Sequence, residues 1–319
     1  MKRKYLVLLF VFCVGGVQAQ VEFIAHKRAS NLVTNTLCQN QPSTSPTDWE
    51  ISRSTIVFKN YIQEEFNEFS STKSDIKIVA HRGGTMERPE NTISAYKRAV
   101  ESGADILEID VRISKDGRLF ILHDKTLDRT TNGTGIAANI TMDELQKLDA
   151  GGWFSPSWSG ERIPSFQEVL QWAAGEEIML LLDLKESVPK FAQKVTDEIQ
   201  RYGNKEKIIV GVRSPDQARI FAKLLPDVKK LAFMSSSNEI QEFAMLGVDV
   251  MRLWINWLKE EPSLADQVRA TGVKLMVNGR LGGLAETKML LSFSPDWILI
   301  NAPAQLIESL HELENKHSK

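Results

Sequence analysis

The chain has 319 residues, 42% hydrophobic and 25% charged, which is enough for one large core or two small ones. A formal charge of −2 gives no basic surface for nucleic acid.

The opening segment, MKRKYLVLLFVFCVGGVQAQ, starts on Lys2, Arg3 and Lys4 and continues as an apolar run too short to span a membrane comfortably. It ends on small or neutral residues with an expected cut after Ala19, so residues 1–19 read as a secretory signal peptide. The mature protein is therefore expected in the periplasm or outside the cell, and losing the three basic residues takes its charge from −2 to −5. Lipidation at Cys13 is the competing reading, but Val-Phe before that cysteine and Val after it suit a lipobox poorly. Cleavage leaves Cys38 alone, so no internal disulfide forms. With no histidine close to it in sequence, Cys38 reads as an inert loop residue.

Residues 20–75 read as an N-terminal extension, with NQPSTSPTD as a linker. Ile56, Val57, Tyr61, Ile62, Phe66 and Phe69 predict one amphipathic helix over 53–69. Its charged face is mainly acidic, so stable membrane insertion is not expected.

From residue 76, short apolar runs alternate with helical patterns: IKIVAH, ADILEIDV, IMLLLDLK, KIIVGV, KLAFM, VDVMRLWI, VKLMVN and DWILIN. Nearly continuous apolar strands separated by helices imply a parallel sheet covered on both faces. Eight such units predict a (β/α)8 TIM barrel over 76–319. An open doubly wound sheet would want a G-x-G-x-x-G turn, and the chain has none. EIDVRISKDGRLFILHD adds a hairpin after the second strand, turning at Lys115-Asp116-Gly117. An insertion follows over about 125–170. Within it, Trp153, Phe154 and Trp158 would form either an aromatic wall for a choline cation or the insertion's own core.

Reactive groups of such a barrel project from the C-terminal ends of its strands. Those ends supply His81 and Arg82, then Glu108 and Asp110, with His123 and Asp124 returned by the hairpin. Asp183 and Lys185 follow, then Arg213, Arg252, Asn278 and Asn301. Glu108 and Asp110, two apart on one strand, face the same way. With Asp183 they offer three hard oxygen ligands, which suit Ca2+ or Mg2+ better than zinc. The bland alternative is a structural ion pair of Glu108 with Lys185 or Arg82. His81 and His123 can share general acid and base roles, and the Arg82 fork suits phosphate oxygens. Gly83 and Gly84 would let a phosphate approach the backbone.

The stretch HRGGTMERPENTISAYKRAVESGADILEIDVRISKDGRLFILHDKTLDRTTNGTG resembles the signature region of the glycerophosphodiester phosphodiesterases, and GGWFSPSWSGERIPSFQEVL continues the likeness. The resemblance implies a metal-dependent TIM barrel that hydrolyses small deacylated phospholipids to glycerol 3-phosphate and an alcohol. It further implies His81 and His123 as the catalytic pair, Glu108 and Asp110 as metal ligands, and Arg82 and Lys185 as phosphate contacts. The sequence departs from the family at Asp183, where Glu is usual, and at Leu275-Met276-Val277-Asn278 and Ile300-Asn301. These changes alter the pocket wall and leave the alcohol open. Two alternatives stand beside this reading: a lipid-cleaving relative of the sphingomyelinase D type, and a non-catalytic binder. The intact PENT segment and the complete set of histidines and acids argue against them.

Overall fold

The computed structural model describes residues 6–8, 23–25, 76–187 and 189–317. Cys13, Cys38, the cleavage point after Ala19 and the amphipathic helix expected over 53–69 lie outside the described residues. The chain divides into units 1–63 and 64–319. In the first, strands Leu6–Leu8 and Phe23–Ala25 pair antiparallel. No helix among the described residues is long and apolar enough to cross a membrane.

The second unit carries nine strands: β1 (Lys77–Ala80), β2 (Ile106–Ile113), β3 (Leu119–Ile121), β4 (Met179–Leu184), β5 (Ile208–Val212), β6 (Lys229–Ala232), β7 (Val250–Leu253), β8 (Lys274–Asn278) and β9 (Trp297–Ile300). Eight run parallel in the order β1-β2-β4-β5-β6-β7-β8-β9, and β9 returns to pair with β1, Ile300 opposite Ala80. This is a closed (β/α)8 barrel. The strands are apolar on both faces because each face meets a different core. Val79, Ile106, Leu181, Ile209, Leu231, Val250, Met276 and Trp297 point inward and fill the barrel. Their neighbours Leu107, Ile109, Leu180, Leu182 and Val210 point outward, beneath the helices. Burial of each such side chain is worth about 1.5–3 kcal/mol.

Helices begin where the sequence supplies a cap. Thr92 accepts from the Ala95 amide at 3.2 Å to open Ile93–Glu101. Ser165 and Glu168 form a capping box that opens Phe166–Ala174. That helix buries Phe166, Val169, Leu170 and Ala173 in the main core, so it belongs to the outer ring of the barrel.

Past the rim, β2 continues into the hairpin, with Val111 opposite Ile121. Gly117, at φ +77°, donates to Ser114 O and makes the turn. The Leu122 amide then donates to Asp110 O at 3.0 Å, which returns the chain to the strand end with His123 next in line. The following segment has a small core of its own, built from Phe120, Leu122, Leu127, Ala137, Met142, Leu145, Ala150 and Ile163. The three aromatics singled out from the sequence take no part in it. Trp153 is 39% exposed, and the Arg88 guanidinium lies 4.3 Å from the Trp158 ring centre, where a ligand cation would have sat.

One position inside the barrel admits no side chain. A Cβ at Gly211 would lie 2.3 Å from Phe233 Cε2 and 2.6 Å from Leu182 O. Gly211→Ala should therefore cost about 1–3 kcal/mol through overpacking. Urea unfolding of the variant tests this, and an unchanged midpoint would show that Phe233 moves aside freely.

Candidate active site

Every inward-pointing polar residue at the strand ends follows from the alternation of the strands. The position after Ile106 on its face is Glu108, and the next is Asp110. Leu181 is followed by Asp183 and Lys185, and Asp183 lies directly opposite Asp110. The mouth thus gathers three buried carboxylates whose ligand oxygens all lie within 4.8 Å of one another.

The chain leaves β1 through one tight turn, His81–Gly83, in which Arg82 adopts φ +52°. That left-handed kink aims the Arg82 amide at Glu108 Oε2, 2.9 Å away. It also sets the guanidinium between two acids, Nη1 at 2.9 Å from Glu90 Oε1 and Nε at 3.3 Å from Asp110 Oδ2. The turn itself requires both glycines, a reason separate from any approach of a phosphate. Gly83 and Gly84 have φ of +85° and +92°. A Cβ on Gly83 would strike Ala95 and Tyr96 at 2.8 Å, and one on Gly84 would crowd Pro303 at 3.1 Å. Their lack of side chains lets the turn pack on its neighbouring helices.

Asp110, fully buried, is the most heavily engaged residue. Lys185 Nζ is 2.7 Å from Oδ1, and Asn91 Nδ2 donates to Oδ2 at 2.7 Å. Asn91 is held in turn by the Tyr96 hydroxyl, which donates to its Oδ1 at 3.0 Å. Lys185 also reaches Asp183 Oδ2 at 2.6 Å, and Arg213 grips Asp183 through two nitrogens, 2.8 and 2.5 Å away. Lys185 and Arg82 hold the Asp110 carboxyl well below its usual range, against its burial. Glu108 moves the opposite way. Burial, with Asp110 and Asp183 beside it, pushes its carboxyl well above the usual range.

The donor set suits a hard divalent ion. Oxygens within 4.8 Å of one another can share an ion that binds each at about 2.3–2.6 Å.

The two imidazoles face this cluster. His81 Nδ1 is 2.6 Å from Asn301 Oδ1, at the end of β9, and His123 Nδ1 is 2.6 Å from Asp124 Oδ1. An oxygen acceptor at Nδ1 places the proton there, so Nε2 is the free lone pair on both rings. Burial lowers both histidines below their ordinary value; the Arg82 charge adds to this at His81, and its Asn301 bond opposes it.

The structure thus brings together His81, Arg82, Glu108, Asp110, His123, Asp183 and Lys185, all seven site residues expected from the sequence. Asn278 stands apart: its Oδ1 accepts from the Ile255 amide at 3.2 Å. Glu90, Asn91 and Arg129 went unassigned from the sequence. Glu90 and Asn91 lie in the PENT segment, and the signal available was a polar pair ahead of a helix cap. Arg129 carried no such signal. It bridges Glu90, at 2.8 Å through two nitrogens, and Asp124, at 2.7 Å.

Comparison with known proteins agrees with this arrangement. The model of the glycerophosphoryl diester phosphodiesterase family matches residues 81–305. A glycerophosphodiester phosphodiesterase of Caldanaerobacter subterraneus is 34% identical over 202 residues, 62% of this chain and 83% of the relative. The crystal structure of a glycerophosphodiester phosphodiesterase from Agrobacterium tumefaciens is 27% identical, with a TM-score of 0.64 over 73% of this chain and 99% of that one. An Oleispira antarctica phosphodiesterase, solved with the product sn-glycerol-3-phosphate, shares the fold at a TM-score of 0.67 and 21% identity, over 74% of this chain and 96% of that one. The family match starts at His81 and runs into the first turn of the last barrel helix, taking in the whole carboxylate cluster and both imidazoles, and this chain belongs to the glycerophosphoryl diester phosphodiesterase family.

Proposed function

We propose that this protein hydrolyses glycerophosphodiesters to glycerol 3-phosphate and an alcohol by acid–base catalysis at His81 and His123, with a divalent ion at the carboxylate cluster. The observation that carries this reading is the pairing of two imidazoles, each tied through Nδ1, with three buried carboxylates at one barrel mouth.

Glu108, Asp110 and Asp183 would hold Ca2+ or Mg2+, which when bound offsets the charge that builds on the phosphoryl oxygens. Arg82 uses Nη1 on Glu90 and has Nη2 to offer a phosphate oxygen. Lys185 has three protons and two carboxylate partners, so one donor remains for the same phosphate. In the resting site both imidazoles favour the neutral form, as their lowered pKa values require. One accepts the proton of the oxygen that attacks phosphorus. The other, protonated beside the bound anion, delivers a proton to the alcohol oxygen as the P–O bond breaks. Arg82 opposes the charged form of both rings, but the Nδ1 partner of His123 is the Asp124 carboxylate, whereas that of His81 is the neutral Asn301 amide. The two rings are therefore unequal.

Turnover of glycerophosphocholine and of sphingomyelin, followed with and without added metal, tests the reading. Metal-dependent release of choline from the first substrate alone is expected. Cleavage of sphingomyelin alone would favour the lipid-cleaving alternative, and turnover of neither of these nor of glycerophosphoserine would leave a binder. His81→Ala and His123→Ala should each lower kcat by about 10²–10⁴-fold with folding intact. Near-normal turnover in either variant would sink the two-histidine mechanism.

Asp183 is one methylene shorter than the glutamate usual in the family, and Arg213 holds both of its oxygens. Asp183→Asn should weaken metal affinity by more than about tenfold, because a hard cation prefers a carboxylate to an amide. Calorimetric metal titration measures this directly, and unchanged affinity would remove Asp183 from the metal site.

A further inference from the structure

The barrel mouth has a second side that the proposed chemistry does not use. Asp183 pairs with Gly211 across β4 and β5, Gly211 with Leu231 across β5 and β6, and Leu231 with Val250 across β6 and β7. Two residues further along each of these chains, the same inward face carries Lys185, which borders the proposed phosphate site, and then Arg213, Phe233 and Arg252, which that chemistry does not use. This arc lies on strands remote in sequence from the histidine-bearing β1 and hairpin.

Within the arc, Arg252 is exceptional. It is only 7% exposed, and its Nε is buried with no hydrogen-bond partner. Lys185 and Arg213 hold carboxylates, as do Arg82 and Arg129, but no acid lies in ion-pair contact with Arg252 among the described residues. Burial lowers its pKa only to about 10, so it stays charged at neutral pH. A buried guanidinium without a counter-ion is costly, and such a group is usually paired. Aromatic rings flank it instead. The Trp254 ring centre is 3.6 Å from Cζ, and the Phe233 ring centre is 5.2 Å away. Rings stacked on a guanidinium cover its faces and leave its edge donors free for a planar or phosphate-like anion.

We infer that Arg252, clamped by Trp254 and Phe233, is a specificity residue that receives an anionic group on the alcohol half of the substrate. This rests on the hydrolase reading above. The glycerol half carries no charge beyond the phosphodiester, whose own partners are Arg82 and Lys185. A second anion must come from the alcohol, as a carboxylate or a further phosphate. Choline, a cation, would meet repulsion here, and the aromatic trio of the insertion offers it no open box because Arg88 already covers Trp158.

Matched pairs test the assignment on the full chain: glycerophosphoserine against glycerophosphoethanolamine, and glycerophosphoinositol 4-phosphate against glycerophosphoinositol. The wild-type enzyme should prefer the anionic member of each pair by at least about tenfold in kcat/KM. Arg252→Gln should erase that preference, mainly through KM, and change turnover of the other two by less than about twofold. Arg252→Lys should keep part of the preference. No wild-type preference overturns the inference, and so does an equal loss on all four substrates, which would put Arg252 on the scissile phosphate. If Arg252→Gln does not fold, the wild-type pairs and the lysine variant still decide. If none of the four is cleaved, the hydrolase reading fails separately. Calorimetry with the intact diesters then judges Arg252, with tighter binding of glycerophosphoserine than of glycerophosphoethanolamine expected and equal or absent binding overturning it.

Discussion

A carboxylate sealed from water sets the terms for the rest of the mouth. Asp110 has no exposed surface, yet it is held ionised by Lys185, Arg82 and the Asn91 amide. Removing one partner of a buried pair of this kind costs about 3–5 kcal/mol. Each partner must therefore be delivered accurately, and each comes from a different part of the chain. Lys185 follows β4, Arg82 follows β1, and Asn91 sits in the PENT segment at φ +59°. A left-handed conformation in a residue other than glycine is tolerated when its surroundings over-determine it. Here the Tyr96 hydroxyl and the Asp110 carboxylate hold the two ends of the Asn91 amide.

The hydrophobic pattern carried most of the architecture. Strands apolar on both faces reveal themselves as continuous runs, because the same alternation that fills the barrel with Val79, Leu181 and Met276 must also supply Leu107 and Leu180 to the helices. Period two then predicts the inward parity of Glu108, Asp110, Asp183 and Lys185 without knowledge of the closed sheet. Contacts between distant segments resist this kind of reading. Arg129 lies in a polar stretch with no periodicity, and its partners Glu90 and Asp124 are fixed by the folding of the loops rather than by any strand. The glycines after His81 were legible only in part for a related reason. Beside an arginine they suggested a cradle, but Gly83 also faces Ala95 and Tyr96, a helix contact that only the tertiary packing reveals.

Arg129 also ties the inserted segment to the barrel mouth. It joins Glu90, which holds Arg82, to Asp124, which holds His123. One guanidinium thus ties the turn after β1 to the imidazole delivered by the hairpin. The insertion can bear this load because Phe120, Leu127, Met142 and Leu145 give it a core separate from that of the barrel. Without that core, Arg129 would need to order a polar loop at the full entropic cost of its side chain and backbone, about 1–2 kcal/mol per residue for the backbone alone.

The two halves of the mouth differ in how their charges are settled. On the β1 and hairpin side, Arg82 and Arg129 each pair with acids and His123 with Asp124, so most of that half's charges are paired within the protein. On the β5–β7 side, Arg213 is spent on Asp183, while Arg252 is flanked by aromatic rings and makes no ion pair among the described residues, although Asp183 and Glu108 lie near enough to favour its charge. Paired charges suit the side where atoms must be aligned to fractions of an ångström for bond breaking. An unpaired charge suits the side where a partner arrives from solution, since the free energy of pairing is then realised on binding rather than spent in folding. Under the proposed function the polarity of the mouth follows from that division, with bond breaking assigned to the histidines and discrimination to Arg252.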